Sequence, residues 1–166
     1  RILLLSLAAL GLASLGAAEW ESERSELGNF SIKDTAGRVL TAADLAGKVV
    51  VVDFWAIWCA PCVKELPELA EYYEKTRSRQ ELLFLSFDVG DDASDLREFL
   101  KKKDVPYPVY LADSVADRHG IFGFPTKLII DARGKRPLVR YRRVGYVPVA
   151  EVEAKVKKLL AEPVAP

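Results

Sequence analysis

The most constraining stretch of this chain is Val49-Val50-Val51-Val52-Asp53-Phe54-Trp55. A half-buried strand alternates apolar and polar residues. This run is β-branched or aromatic at every position except Asp53, so both of its faces must be covered. A strand of that kind sits in the middle of a sheet that carries helices, and its neighbours in sequence must supply them.

The flanking segments do so. A helix is predicted from about Ala60, with Leu66, Leu69 and Tyr73 on one side and Pro67 inside it. Glu81–Val89 contains Leu82-Leu83-Phe84-Leu85-Ser86-Phe87, a second buried strand. Asp91 or Asp92 caps a further helix with Leu96, Phe99 and Leu100 as its apolar face, and Lys101-Lys102-Lys103 suits its C-terminal end. Short strands follow at Pro108–Leu111, Thr126–Ile130 and Leu138–Val144, the last two joined by the turn Asp131–Gly134; Ser114–His119 makes one helical turn that Gly120 stops. Val149–Leu160 reads as a terminal amphipathic helix. Ahead of the central run, Asn29–Lys33 and Arg38–Leu40 flank the turn residues Asp34–Gly37, and Thr41 caps a short turn to Leu45. Helix–strand alternation implies parallel pairing and the short turn an antiparallel hairpin. The expected fold is therefore α/β: a mixed central β-sheet flanked by helices on both faces, with an N-terminal β-hairpin extension.

Ile2–Ala18 contains no charge, follows Arg1 and ends in the small residues Gly16-Ala17-Ala18. Basic start, short apolar core and small-residue exit describe a secretory signal peptide. The rival reading is an uncleaved membrane anchor over residues 2–18, at the low edge of what spans a bilayer. The expected division is a signal peptide or anchor over residues 1–18, a polar mobile lead-in over 19–28, one domain over 29–161 and a frayed tail over 162–166. Lys+Arg and Asp+Glu both number 24, so no basic excess is present to collect nucleic acid. Two cysteines and one histidine are too few for a disulfide scaffold or for the four N/S ligands that zinc prefers, so no metal is expected.

Export would place the cysteines where thiols tend to be oxidised. Two distant cysteines would then suggest a structural bridge, but Cys59 and Cys62 are three apart, which points to working redox chemistry. They lie in Trp58-Cys59-Ala60-Pro61-Cys62, between a buried strand and a helix. Cys59 would sit at the helix N-terminus, where unpaired N–H groups and the macrodipole favour a thiolate. Cys62 is one turn further on the same side, and Pro61 is tolerated in a first turn. Cys59 is the expected nucleophile, forming a mixed disulfide with a client, and Cys62 resolves it. Asp53, the only acid in the buried run, is the expected proton acceptor for Cys62, through water if needed. The plainer alternatives are a static bridge, which a three-residue loop makes a weak constraint, and half a zinc site completed by distant His119.

These residues resemble the thioredoxin superfamily, specifically exported TlpA/ResA-type thiol–disulfide oxidoreductases. The matching features are the Gly47-Lys48 lead, Val51-Val52-Asp53-Phe54-Trp55-Ala56, Trp58-Cys59-Ala60-Pro61-Cys62, Pro67, Gly123-Phe124-Pro125-Thr126, the Asp131–Gly134 turn and Gly145. The resemblance implies a thioredoxin fold, a cis Pro125 facing the disulfide, and a cleft where Trp58, Pro61, Phe124, Pro125 and Thr126 receive the client. It implies no cofactor beyond the Cys59–Cys62 disulfide itself. It implies a monomer that acts on disulfide-containing exported proteins, outside the cytoplasm, with a membrane thiol carrier as electron donor. Glu65, three residues after Cys62, matches an acid that some ResA-like proteins carry, which gives it a tuning role. Many TlpA-like members carry Asn where Asp53 stands, and this departure weakens a narrow assignment to cytochrome c maturation. Thioredoxin has a Lys near its buried Asp, and the strand Leu82–Phe87 offers none. A peroxiredoxin-like peroxidase would need Thr where Ala56 stands.

Structural readings compete at several positions. Glu65 reads more simply as a solvated acid favouring the helix dipole. His119 reads as a surface residue near a helix end, Trp55 and Trp58 as part core and part rim, and Arg140-Tyr141-Arg142-Arg143 as a solvated face. The expected function is reduction of disulfides in exported proteins. The alternatives are a disulfide-donating oxidase or isomerase of the same fold, and a non-redox binding or chaperone module.

Overall fold

The computed structural model describes residues 19–164. The expected signal peptide or anchor over residues 1–18 lies outside the described residues, as do 165–166 at the end of the tail. The strands are β1 (Glu21–Glu26), β2 (Ser31–Asp34), β3 (Val39–Thr41), β4 (Val49–Trp55), β5 (Leu82–Asp88), β6 (Val109–Leu111), β7 (Thr126–Asp131) and β8 (Leu138–Val144). The helices are α1 (Ala60–Thr76), α2 (Ala93–Lys103), α3 (Asp113–Arg118) and α4 (Val149–Ala161), with one 3-10 turn at Ala42–Leu45. One mixed sheet runs β1-β8-β7-β4-β5-β6-β2-β3. Strands β4, β5 and β6 are parallel, and the remaining pairs are antiparallel. This is the α/β thioredoxin fold, and the β2–β3 hairpin joins the sheet through β6.

All seven residues of β4 are buried, as its unbroken apolar run requires. Side chains alternate across a strand, so Val49, Val51 and Trp55 face one core layer with Leu66, Leu69 and Tyr72 of α1 and Val152, Val156 and Leu159 of α4. Val50, Val52 and Phe54 face the other layer, with Leu45 of the 3-10 turn and Val115 and Ala116 of α3. Asp53 shares the first face. The strand period thus delivers the one acid of the central strand to the side that carries the cysteine helix. On α1 it is Tyr72 that is fully buried, whereas Tyr73 only packs against the edge of the layer.

Several polar segments are more ordered than the sequence suggests. Residues 19–28, expected as a mobile lead-in, contain β1, which pairs with β8 at the sheet edge. Charge pairing holds it there: Arg142 Nε lies 3.1 Å from Glu23 Oε2, and Arg136 bonds Glu26. Leu27, 2 % exposed, anchors its end. Charged side chains also suit an edge strand, because they discourage further pairing. The arginine segment is correspondingly not a free solvated face. Arg140 is buried and reaches Glu162 at 2.6 Å and Asp131 at 3.6 Å. Glu162, expected in the frayed tail, is pinned by this contact. Arg133 adds to it by donating to the Leu159 carbonyl at 2.9 Å and the Glu162 carbonyl at 3.3 Å. His119 is half-buried, with a ring nitrogen 3.0 Å from the Leu27 carbonyl.

Candidate active site

Cys59 is the N-cap of α1, and Pro61 stands in the first helical turn, where its missing N–H costs nothing. The Cys62 N–H points at Cys59 Sγ over 3.4 Å. The two sulfurs are joined as a disulfide, with the Cα atoms 5.3 Å apart. Cys59 is 5 % exposed and Cys62 1 %, so the N-cap cysteine is the more exposed of the two. The approach to the bridge is held on both sides. Asp91 Oδ2 accepts from the Ile57 N–H at 2.7 Å, which fixes the segment leading to Trp58. Below it, the Trp55 indole donates to Ser86 Oγ at 2.8 Å inside the core.

The Phe124–Pro125 peptide bond is cis. Its loop is fastened by the Gly145 N–H donating to the Pro125 carbonyl at 2.8 Å. A side chain at Gly123 would press on Val144 at 3.3 Å, so glycine lets the loop lie against β8. Trp58 and Phe124 meet edge to face with ring centroids 5.7 Å apart. Trp58 is 66 % exposed and Pro61 is exposed, as client-facing residues must be. Pro125 and Thr126 differ from expectation: both are buried, and the Thr126 hydroxyl donates to the Gly123 carbonyl at 2.7 Å, so it props the loop from beneath. Phe122 and Tyr146 on loops and Val144 at the end of β8 are also exposed apolar or aromatic side chains, and none of them was singled out from sequence.

Beneath α1 lies a buried charge cluster that the sequence reading missed in part. Lys127 of β7 is fully buried and donates to Asp53 Oδ1 at 2.9 Å and to Glu65 Oε1 at 2.8 Å. Asp53 and Lys127 are direct partners in the antiparallel β4–β7 register, so their side chains leave the sheet on the same face. Glu65 is 3 % exposed, which corrects its reading as a solvated helix acid. The cation sought in the strand of residues 82–87 comes instead from the opposite neighbour of β4. The signal was present: a single charged residue in the otherwise uncharged run Thr126-Lys127-Leu128-Ile129-Ile130.

Burial pushes the Glu65 carboxyl up to about 7, and the Asp53 charge adds to the push against the opposing Lys127 ammonium. Burial works against the Lys127 ammonium, but the two carboxylates outweigh it and hold Lys127 above the ordinary lysine range. Burial, followed by Asp53 and Glu65, lifts the Tyr107 phenol well above its ordinary range. Among the described residues, Asp53 Oδ2, Glu65 Oε2 and the Tyr107 hydroxyl find no hydrogen-bond partner. Glu65 also lines an open groove with Pro61, Lys64, Glu68 and Tyr146. Glu68 closes one side of that groove by accepting from the Tyr146 hydroxyl at 2.9 Å and the Val149 N–H at 2.8 Å. No group of three or more metal-ligating side chains occurs among the described residues.

The profile of the AhpC/TSA family matches residues 24–138. The chain belongs to that family. A relative, the thiol-disulfide oxidoreductase ResA of Bacillus subtilis, is 35 % identical over 140 residues, spanning 81 % of this chain and 78 % of that protein. Among solved structures, a thioredoxin-family thiol:disulfide interchange protein from Chlorobium tepidum superposes with a TM-score of 0.69. It is 28 % identical and covers 85 % of this chain and 98 % of its own. DsbF of MTB superposes with a TM-score of 0.64 at 27 % identity, covering 78 % and 94 %. The cysteine pair at a helix N-terminus, the sheet and these relatives agree on one activity, disulfide oxidoreduction.

Proposed function

We propose that this protein reduces disulfides in exported client proteins, with Cys59 as nucleophile and Cys62 as resolving thiol. The observation that carries the proposal is the Cys59–Cys62 bridge at the start of α1, with the more exposed cysteine, Cys59, at the N-cap and Cys62 in the first helical turn. In the reduced protein, the helix N-terminus stabilises a Cys59 thiolate. That thiolate attacks one sulfur of a client disulfide; the client S–S bond breaks, and the other client sulfur leaves as a thiolate and is protonated. Cys62 then gives its proton to the Asp53–Glu65 pair and attacks Cys59. The Cys59–Cys62 bond forms, the Cys59–client bond breaks, and the second client sulfur leaves and is protonated. Two electrons have moved to the client. A thiol carrier in the membrane restores them.

Trp58, Pro61 and Phe124 form the surface that meets the client, whose extended chain lies as an added strand against the loop that buried cis Pro125 shapes. An extracytoplasmic setting is supported by the likeness to thiol:disulfide interchange proteins and to ResA. No helix among the described residues is long and apolar enough to cross a membrane.

Insulin-type disulfide reduction tests the reading. Cys59→Ser abolishes it, and activity that survives this change overturns the role of Cys59. The Cys59–Cys62 potential, measured against glutathione, falls toward the reducing end of the roughly −270 to −120 mV spanned by thioredoxin-fold proteins. A value at the oxidising end makes the protein a disulfide donor instead.

A further inference from the structure

We propose that Glu68 sets the geometry of the client cleft from a distance, by latching the loop between β8 and α4, and through it the cis-proline loop, to the helix that carries the cysteines. The proposal rests on the reductase reading above and gives Glu68 a positioning role in the capture of an extended protein client.

The cleft has two walls from separate parts of the chain. Trp58, Cys59 and Pro61 stand at the start of α1; Phe124 and the turn that buried cis Pro125 shapes stand ahead of β7. A client strand that reaches both walls needs them at a fixed spacing. The second wall is tied by the Gly145 N–H, which donates to the Pro125 carbonyl at 2.8 Å. Gly145 has a φ of 90°, which a side chain would strain, so glycine lets the chain turn there and present its N–H to Pro125. The place of Pro125 therefore follows the place of residues 145–148.

Glu68 holds those residues. Its Oε2 accepts from the Tyr146 hydroxyl at 2.9 Å and its Oε1 from the Val149 N–H at 2.8 Å, so one carboxylate grips both ends of the loop. Val149 opens α4, whose N-cap, Pro148, makes no side-chain hydrogen bond. Glu68 supplies the missing acceptor from the neighbouring helix and sets negative charge against the unpaired N–H groups of α4. Its hydrogen bond raises the Tyr146 phenol above the ordinary range, so the hydroxyl remains a donor. Between the two grips Val147 is 1 % exposed, in the core layer that α1 and α4 share, and anchors the loop from beneath. The latch stands on the face of the molecule that carries the disulfide: Glu68 and Tyr146 line the open groove with Pro61. A continuous series thus joins the walls, from α1 through Glu68 to the loop, and from Gly145 to Pro125. A protein client spans both walls and is sensitive to their spacing, whereas a small disulfide needs Cys59 alone.

Glu68→Ala tests this. The reduced protein is mixed, in single turnover, with insulin or with hydroxyethyl disulfide, and thiol loss gives a second-order rate constant for each. The ratio of the insulin constant to the small-disulfide constant should fall about three- to tenfold, the equivalent of one or two lost hydrogen bonds. Tyr146→Phe keeps the ring and deletes one grip, and the ratio should fall less. Glu68→Gln keeps an acceptor for the Val149 N–H and a polar partner for Tyr146, and should restore most of the ratio. A merely structural glutamate would change the melting temperature of Glu68→Ala and leave the ratio alone; an unmoved ratio overturns the proposal. A fall in Glu68→Gln as large as in Glu68→Ala also overturns it, because charge toward the client and not the latch would then be responsible. Hydrogen exchange reads the latch without any client: in Glu68→Ala the Gly145 amide should exchange about three- to tenfold faster while β4 amides do not change, and an unaccelerated Gly145 overturns the proposal. Failure of the wild type to reduce insulin would instead refute the reductase reading, so the two failures are distinguishable.

Discussion

Asp88 ends β5 with no exposed surface, and neither of its carboxyl oxygens has a hydrogen-bond partner among the described residues. Burial raises its carboxyl from the ordinary 3.8 to about 8, and neighbouring Asp91 and Asp113 add to the rise. The sign follows directly. The native state binds this proton more tightly than the unfolded chain, so stability is full below the unfolded value and is lost as pH climbs toward about 8. Asp88→Asn keeps the shape and cannot ionise, so it removes the loss. At 1.4 kcal/mol per unit, the ceiling near pH 7.5 is about 5 kcal/mol; relaxation and water around the neighbouring carboxylates reduce the expected gain to roughly 2–3 kcal/mol. For a chain of this size that raises the melting temperature by roughly 5–10 °C. Thermal unfolding of the oxidised wild type and variant at about pH 4.5, 6 and 7.5 should show a gain that is smallest in acid and grows with pH. A gain that does not change with pH, or a net loss near pH 7.5, refutes the reasoning.

Asp53→Asn should slow release of the mixed disulfide while circular dichroism stays native-like; an unchanged rate removes Asp53 from the proton path. Trp58→Ala strips the exposed ring that packs on Phe124 and should raise KM for a protein client more than it lowers kcat. Arg133→Ala removes the donor to the Leu159 and Glu162 carbonyls and should cost about 1–2 kcal/mol in urea unfolding. Arg142→Ala cuts the tie to Glu23 and should speed hydrogen exchange along β1 without affecting β4.

How much was legible follows the physics of each segment. β4, α1, β5 and α4 declared themselves because burial imposes a period, and the period survives in the order of residues. The cysteine pair was legible because its chemistry is local, confined to one helical turn. β1 was not: Glu21-Ser22-Glu23-Arg24-Ser25-Glu26 has no apolar alternation, and charges on β8 hold it. Glu65 was hidden for a related reason. An acid on a helix looks solvated until the cation that accompanies it into the core is known. Lys127 is 74 residues from Asp53 in sequence, and only the β4–β7 register brings the two together. The parallel neighbour of β4 carries no cation; the antiparallel one carries Lys127. Arg140 and Arg142 followed the same pattern, since their acidic partners, Glu162, Asp131 and Glu23, are remote in sequence.

The central claim is a covalent one: a client sulfur bonds to Cys59 and to no other atom of the chain. Its most direct test is Cys62→Ser, incubated with a disulfide-containing exported protein and digested without reductant for mass spectrometry. The account predicts a stable cross-link between a client cysteine and the peptide carrying Cys59. Recovery of that peptide only as a free thiol, from a folded variant, contradicts it.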